Sequence, residues 1–145
     1  MPIDQRSFDG LSRKLKRLGA KTGGKFLRAA AMSATLPVLK AARANIPKSA
    51  GSELHKTYKG RLVAPGFASR SVARKSIISR DKSFVRVMIG VRPEAFYAAI
   101  FVELGTARQA AQPWLEPALR NTKGEVVRRL ASRLKSKIMA EARRR

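Results

Sequence analysis

The chain has 145 residues, one ordinary domain's length, which is enough to bury roughly two thirds of the surface its unfolded form exposes. Hydrophobic residues make up 44% and prolines number only 7, which excludes the disordered and collagen-like classes; the lack of cysteine excludes disulfides and thiolate chemistry. The 32 Lys and Arg against 9 Asp and Glu give a net charge of +23, and residues 1–50, 51–100 and 101–145 carry 11, 10 and 11 of those cations, so the excess is not a basic tail on a neutral domain.

Leu11, Leu15 and Leu18 recur at helical spacing among Arg13, Lys14, Lys16 and Arg17, which predicts an amphipathic helix ending near Gly19. The Gly23-Gly24 pair is expected to interrupt any continuation, with Thr22 as a cap for a restart. A second, alanine-rich helix follows from about Lys25 to Asn45, and Pro37 inside it predicts a kink or a break. Pro47 ends this segment.

Residues 48–70, with Gly51, Gly60, Pro65 and Gly66 and little apolar periodicity, read as a long mobile loop. Ser76-Ile77-Ile78 then reads as a strand end and Arg80 to Ser83 as a turn. Val85, Val87, Ile89 and Val91 alternate with Arg86, Met88 and Gly90, the period of two of a strand with one face buried. Phe96 to Leu104 is expected as a third strand, although its continuous apolar run also fits a buried helical turn. From Trp114 onward Leu115, Ala118, Leu119, Thr122, Val126, Leu130, Leu134 and Ile138 form the apolar stripe of a closing helix, with Pro117 tolerated in its first turn and 143–145 as a frayed tail. The expected fold is therefore a single α+β domain over 1–145, in which N-terminal helices and a C-terminal helix pack on a small antiparallel meander sheet.

Chemistry has few candidates. The one histidine, His55, has no His, Cys or acidic cluster at ligand spacing, and Glu103 and Glu116 are isolated carboxylates rather than an acid/base couple. Gly23-Gly24-Lys25 lacks the strand and spacing of a phosphate-binding loop. No catalytic residue, metal ligand or cofactor site is assigned, and an enzyme is not expected. The longest strongly apolar run, Phe96 to Val102, is far short of the ~20 residues that cross a bilayer, and the N-terminus lacks the layout of a secretory signal. The expected setting is the cytoplasm, without a membrane. The +23 field attracts polyanions non-specifically, and a basic nucleic-acid-binding protein of ribosomal or nucleoid type is one reading of it.

The stretch Phe96-Tyr97-Ala98-Ala99-Ile100-Phe101-Val102-Glu103-Leu104-Gly105-Thr106, followed by Ala111-Gln112-Pro113-Trp114-Leu115-Glu116-Pro117-Ala118-Leu119, resembles the signature of the small tail-completion or head–tail joining proteins of long-tailed bacteriophages. Ala44-Asn45-Ile46-Pro47 and Lys75-Ser76-Ile77 resemble further parts of that family's pattern. The resemblance implies a structural virion protein of the neck, assembled in the host cytoplasm. It implies a homo-oligomeric ring, usually of six subunits, that contacts the tail tube protein and the head-completion or connector proteins while phage DNA passes through. Glu103, Gly105, Thr106, Pro113, Trp114 and Pro117 are the motif residues expected to shape the strand-to-helix connection or to contact neighbouring subunits. The loop bearing Gly51, His55, Tyr58, Pro65 and Phe67 is expected to order on assembly.

Overall fold

The computed structural model describes residues 20–48, 52–80 and 84–143. The expected helix around Leu11, Leu15 and Leu18, the loop residue Gly51 and the turn residues Asp81 to Ser83 lie outside them.

Among the described residues two helices come first, α1 (Ala20–Ala34) and α2 (Leu36–Asn45), and they meet at Thr35. The break falls where Pro37 foretells it. A proline has no N–H for the preceding turn, so it sits within the first two positions of a new helix. The Met32 carbonyl at the end of α1 is taken by side chains: the Thr35 hydroxyl donates to it (3.2 Å) and also to Ala31 O (3.1 Å), which accepts Thr35 N–H as well, and the Arg74 guanidinium donates to Met32 O. The expected interruption at Gly23-Gly24 is not observed, because α1 runs through both glycines back to Ala20. A helical glycine costs about 1 kcal/mol relative to alanine. Packing overrides that cost here: Gly24 is buried, and α1 contacts both the long C-terminal helix and the main hairpin.

Residues 52–71 hold regular structure that the sequence reading placed in a loop. A short antiparallel hairpin pairs β1 (His55–Lys56) with β2 (Leu62–Val63), His55 opposite Val63 and Lys56 opposite Leu62. Its turn is closed by Thr57 N–H to Arg61 O (2.8 Å) and Gly60 N–H to Thr57 O (2.8 Å), with Gly60 at φ 76°. A one-turn helix, α3 (Phe67–Ser71), follows; the Arg70 guanidinium donates to the carbonyls of Pro65 (2.9 Å) and Ala64 (3.2 Å), and the Ser69 hydroxyl donates to Arg43 O (2.8 Å).

The main hairpin joins β3 (Val72–Ile78) to β4 (Val85–Val91), in register from Val72 opposite Val91 to Ile78 opposite Val85. Alternation sorts its side chains. Val72, Arg74, Ser76 and Ile78 share one face with Val85, Val87, Ile89 and Val91, while Lys75, Ile77, Arg86 and Met88 are exposed on the other. Polar groups on the inner face are bonded to helices: Arg28 Nε donates to Ser76 Oγ (2.7 Å), and Arg43 donates to Val72 O through Nε (3.2 Å) and Nη2 (2.9 Å).

The expected third strand at Phe96–Leu104 is instead a helix, α4, entered through a 3₁₀ turn at Pro93–Ala95. The continuous apolar run hides its period. Ala95, Ala99 and Val102, at i, i+4 and i+7, turn toward the protein, a spacing no strand can use. Among the described residues the sheets are consequently two separate two-stranded hairpins and not a meander. The last helix, α5 (Leu115–Ala142), runs against α1 and α2 and completes the helical layer that covers the main hairpin, so the architecture is mixed α+β.

The central core gathers Leu39, Ala42 and Ile46 of α2, Val72 of β3, Ala99 of α4, and Trp114 and Ala118. It is thin. Among the described residues six of the twelve buried apolar side chains are alanines, whereas thirteen large apolar side chains are exposed. No helix among the described residues is long and apolar enough to cross a membrane.

Candidate functional site

The motif residues converge on the junction between α4 and α5. Gly105 ends α4 at φ 75° and ψ 178°, a conformation essentially restricted to glycine. A side chain there has no room either, since a Cβ would stand 2.7 Å from Ala111 N and 2.9 Å from Gln109 O. The connection folds back as a tight loop: Thr106 N–H donates to Gln109 O (2.8 Å), Arg108 N–H to Thr106 Oγ1 (3.3 Å), and Gln112 N–H to Val102 O (2.7 Å).

The fold-back brings the Glu103 carboxylate onto the first N–H groups of α5. Oε2 accepts from Trp114 N–H (2.6 Å) and Leu115 N–H (3.0 Å), and Oε1 accepts from Glu116 N–H (3.3 Å). The first turn of a helix has no internal partners for these donors and carries the positive end of the dipole, so a carboxylate there satisfies both. Here it comes from the preceding helix. Trp114 is 3% exposed; its indole N–H donates to Ala99 O (3.1 Å), and its own carbonyl accepts from Asn45 Nδ2 (3.2 Å). Pro117, the third residue of α5, sits where a missing N–H breaks no helical bond. Pro113 is exposed immediately before Trp114. Glu103, Gly105, Thr106 and Trp114 thus hold one connection rigid within the chain.

The other side of α4 carries large apolar side chains into solvent. Tyr97, Phe101 and Leu104 form a second i, i+4, i+7 apolar row, exposed by 48%, 49% and 71%, with Phe96 beside it. Their rings touch: Phe96 and Tyr97 lie edge to face at 5.6 Å, and Tyr97 and Phe101 are tilted at 6.0 Å. Tyr58 from the turn of the small hairpin meets Tyr97 edge to face at 4.9 Å, and Lys59 Nζ lies 5.6 Å from the Tyr58 ring. Between hairpin, α3 and α4 is a cleft of about 360 Å³ lined by Pro47, His55, Tyr58, Phe67 and Tyr97 among others. His55, Tyr58 and Phe67 from the predicted assembly loop therefore stand beside the motif helix. Pro65 also lies in the link to α3, where its carbonyl holds Arg70.

Asn45 is visible in the sequence only as part of Ala44-Asn45-Ile46-Pro47, and Tyr97, Phe101 and Leu104 only as part of a continuous stretch; the fold gives the first its bond to Trp114 O and the others their shared exposed row. The signal was present in Phe96 to Val102: a segment apolar on every side has more faces than a thin core can cover. Comparison with protein-family models, curated proteins and solved structures returned no match.

Proposed function

We propose that this chain is a non-catalytic structural subunit of a phage head–tail junction, forming a ring with copies of itself and contacting tail tube and connector proteins. The observation that carries the reading is α4, with two opposite apolar rows. One row, through Ala99 and Val102, belongs to the core, and the other, through Tyr97, Phe101 and Leu104, faces solvent. Exposed aromatic patches on a rigid element are what protein interfaces use as anchors. The rigidity comes from the Glu103 cap and the Gly105 turn, and these residues belong to the segment that resembles the tail-completion family. The neighbouring hairpin, with Tyr58 against Tyr97, extends the same surface.

The test is assembly without nucleic acid. Purified protein is expected to sediment as a closed ring, and Phe101→Glu with Leu104→Glu is expected to give a folded monomer, since neither side chain is in the core. A wild-type chain that stays monomeric at high concentration overturns the ring reading and returns the nucleic-acid-binding one.

A further inference from the structure

Among the described residues, some arginines are tied into the fold and others stand along α5. Arg28, Arg43, Arg70 and Arg74 are held by hydroxyl or carbonyl oxygens within the fold. On α5 the cations point elsewhere. Arg120, Lys123, Arg128, Arg129, Arg133 and Lys135 are all exposed along a 28-residue helix, about 42 Å long at 1.5 Å per residue. Arg120 pairs with Glu116 (3.7 Å) and Arg129 with Glu125 (2.7 Å). Among the described residues, Lys123, Arg128, Arg133 and Lys135 have no such partner.

Three of these arginines converge. Arg128, Arg129 and Arg133 line an open cleft of about 390 Å³ with Ser33, Ser132 and Glu125, where one carboxylate faces three guanidinium groups and two hydroxyls. Guanidinium forks and hydroxyl donors are the groups that hold phosphate oxygens.

We infer that the face of α5 carrying Arg128, Arg129 and Arg133 binds the phosphate backbone of duplex nucleic acid without reading its sequence. This deepens the junction reading, on which it rests for the presence of a duplex, by naming the surface that meets the genome. Two features of the helix choose the occupant. An acidic protein partner would need a desolvated apolar or aromatic centre to its interface. That centre lies on α4, whereas α5 contains no aromatic residue and exposes Leu119, Val127 and Met139 only singly, eight and twelve positions apart. Single strands are held by stacking bases on aromatic rings, which α5 also lacks. A cluster of cations on a helix without a stacking platform fits a double-stranded backbone.

The experiment measures binding of the full chain to a random-sequence duplex of about 30 base pairs across a salt series. Arg128→Gln, Arg129→Gln and Arg133→Gln are combined in one variant. Lys40→Gln, Lys56→Gln and Lys75→Gln, exposed cations on other elements, are combined in a control of equal charge loss. The α5 variant is expected to bind about tenfold more weakly or worse near 0.1 M salt, and its slope of log K against log salt to fall by about 2.7, three contacts at about 0.9 each. The control is expected to shift affinity by less than about threefold. Equal losses in the two variants overturn the inference, as does single-stranded DNA or polyglutamate competing as well as duplex. Rings that form but bind no duplex overturn this assignment alone; a monomer that binds duplex through α5 overturns the ring reading alone.

Discussion

Replacing Glu103 by alanine tests whether the motif is first of all an internal latch. The carboxylate accepts the N–H groups of Trp114, Leu115 and Glu116 at the entry to α5, at 2.6, 3.0 and 3.3 Å, the first two through one oxygen. A hydrogen bond to a charged group contributes about 1.5–3 kcal/mol, and loss of a helix cap alone costs about 0.5–2 kcal/mol. Glu103 is half-buried and Glu116 N–H is exposed, so water recovers part of the loss. Glu103→Ala should therefore destabilise by about 2–3 kcal/mol. Glu103→Gln keeps one acceptor oxygen and forfeits the charge at the helix end, which should cost about 1 kcal/mol. Equilibrium urea unfolding followed by far-ultraviolet circular dichroism, at one fixed protein concentration, reads both values. An alanine variant within about 0.5 kcal/mol of wild type would refute the cap; unchanged unfolding together with lost rings would move Glu103 to a subunit contact.

Trp114→Ala should cost about 3–5 kcal/mol by opening a cavity at the centre of the core, whereas Trp114→Phe, which mainly loses the indole bond to Ala99 O, should cost about 1–2 kcal/mol, both read in the same unfolding assay. Gly105→Ala combines a disfavoured backbone with a Cβ 2.7 Å from Ala111 N, and thermal unfolding should show a loss of about 2–4 kcal/mol. Arg74→Met removes the guanidinium from the end of α1, leaving the Met32 carbonyl to the Thr35 hydroxyl; a loss of about 1–2 kcal/mol is expected, with faster amide exchange confined to the α1–α2 joint.

The parts of this fold visible in the sequence are those with a local period or a covalent constraint. Alternation from Val85 to Val91 exposed the main hairpin, Pro37 placed the joint between α1 and α2 to within two residues, and the stripe from Leu115 to Ile138 gave the closing helix. Where the period vanished the reading failed. Phe96 to Val102 is apolar at every position, so strand and helix were indistinguishable until the inward row of Ala95, Ala99 and Val102 was seen. The small hairpin has two residues per strand, too few to show alternation. Gly23 and Gly24 obey packing from distant elements rather than their own propensity. The candidate site was half legible: residue types marked Gly105 as a turn and Trp114 as buried, but Glu103 reaches its partners 11 to 13 positions away through the tertiary fold.

Because the cap of α5 is lent by α4, neither helix is a self-sufficient unit. If α4 peels away, the donors of Trp114 and Leu115 lose their acceptor and the start of a 28-residue rod loosens with it; if that start unwinds, the carboxylate is stranded against a departing partner. The bonds therefore make a two-way coupling, through which pressure on the aromatic side of one helix arrives as a change in the other's first turn.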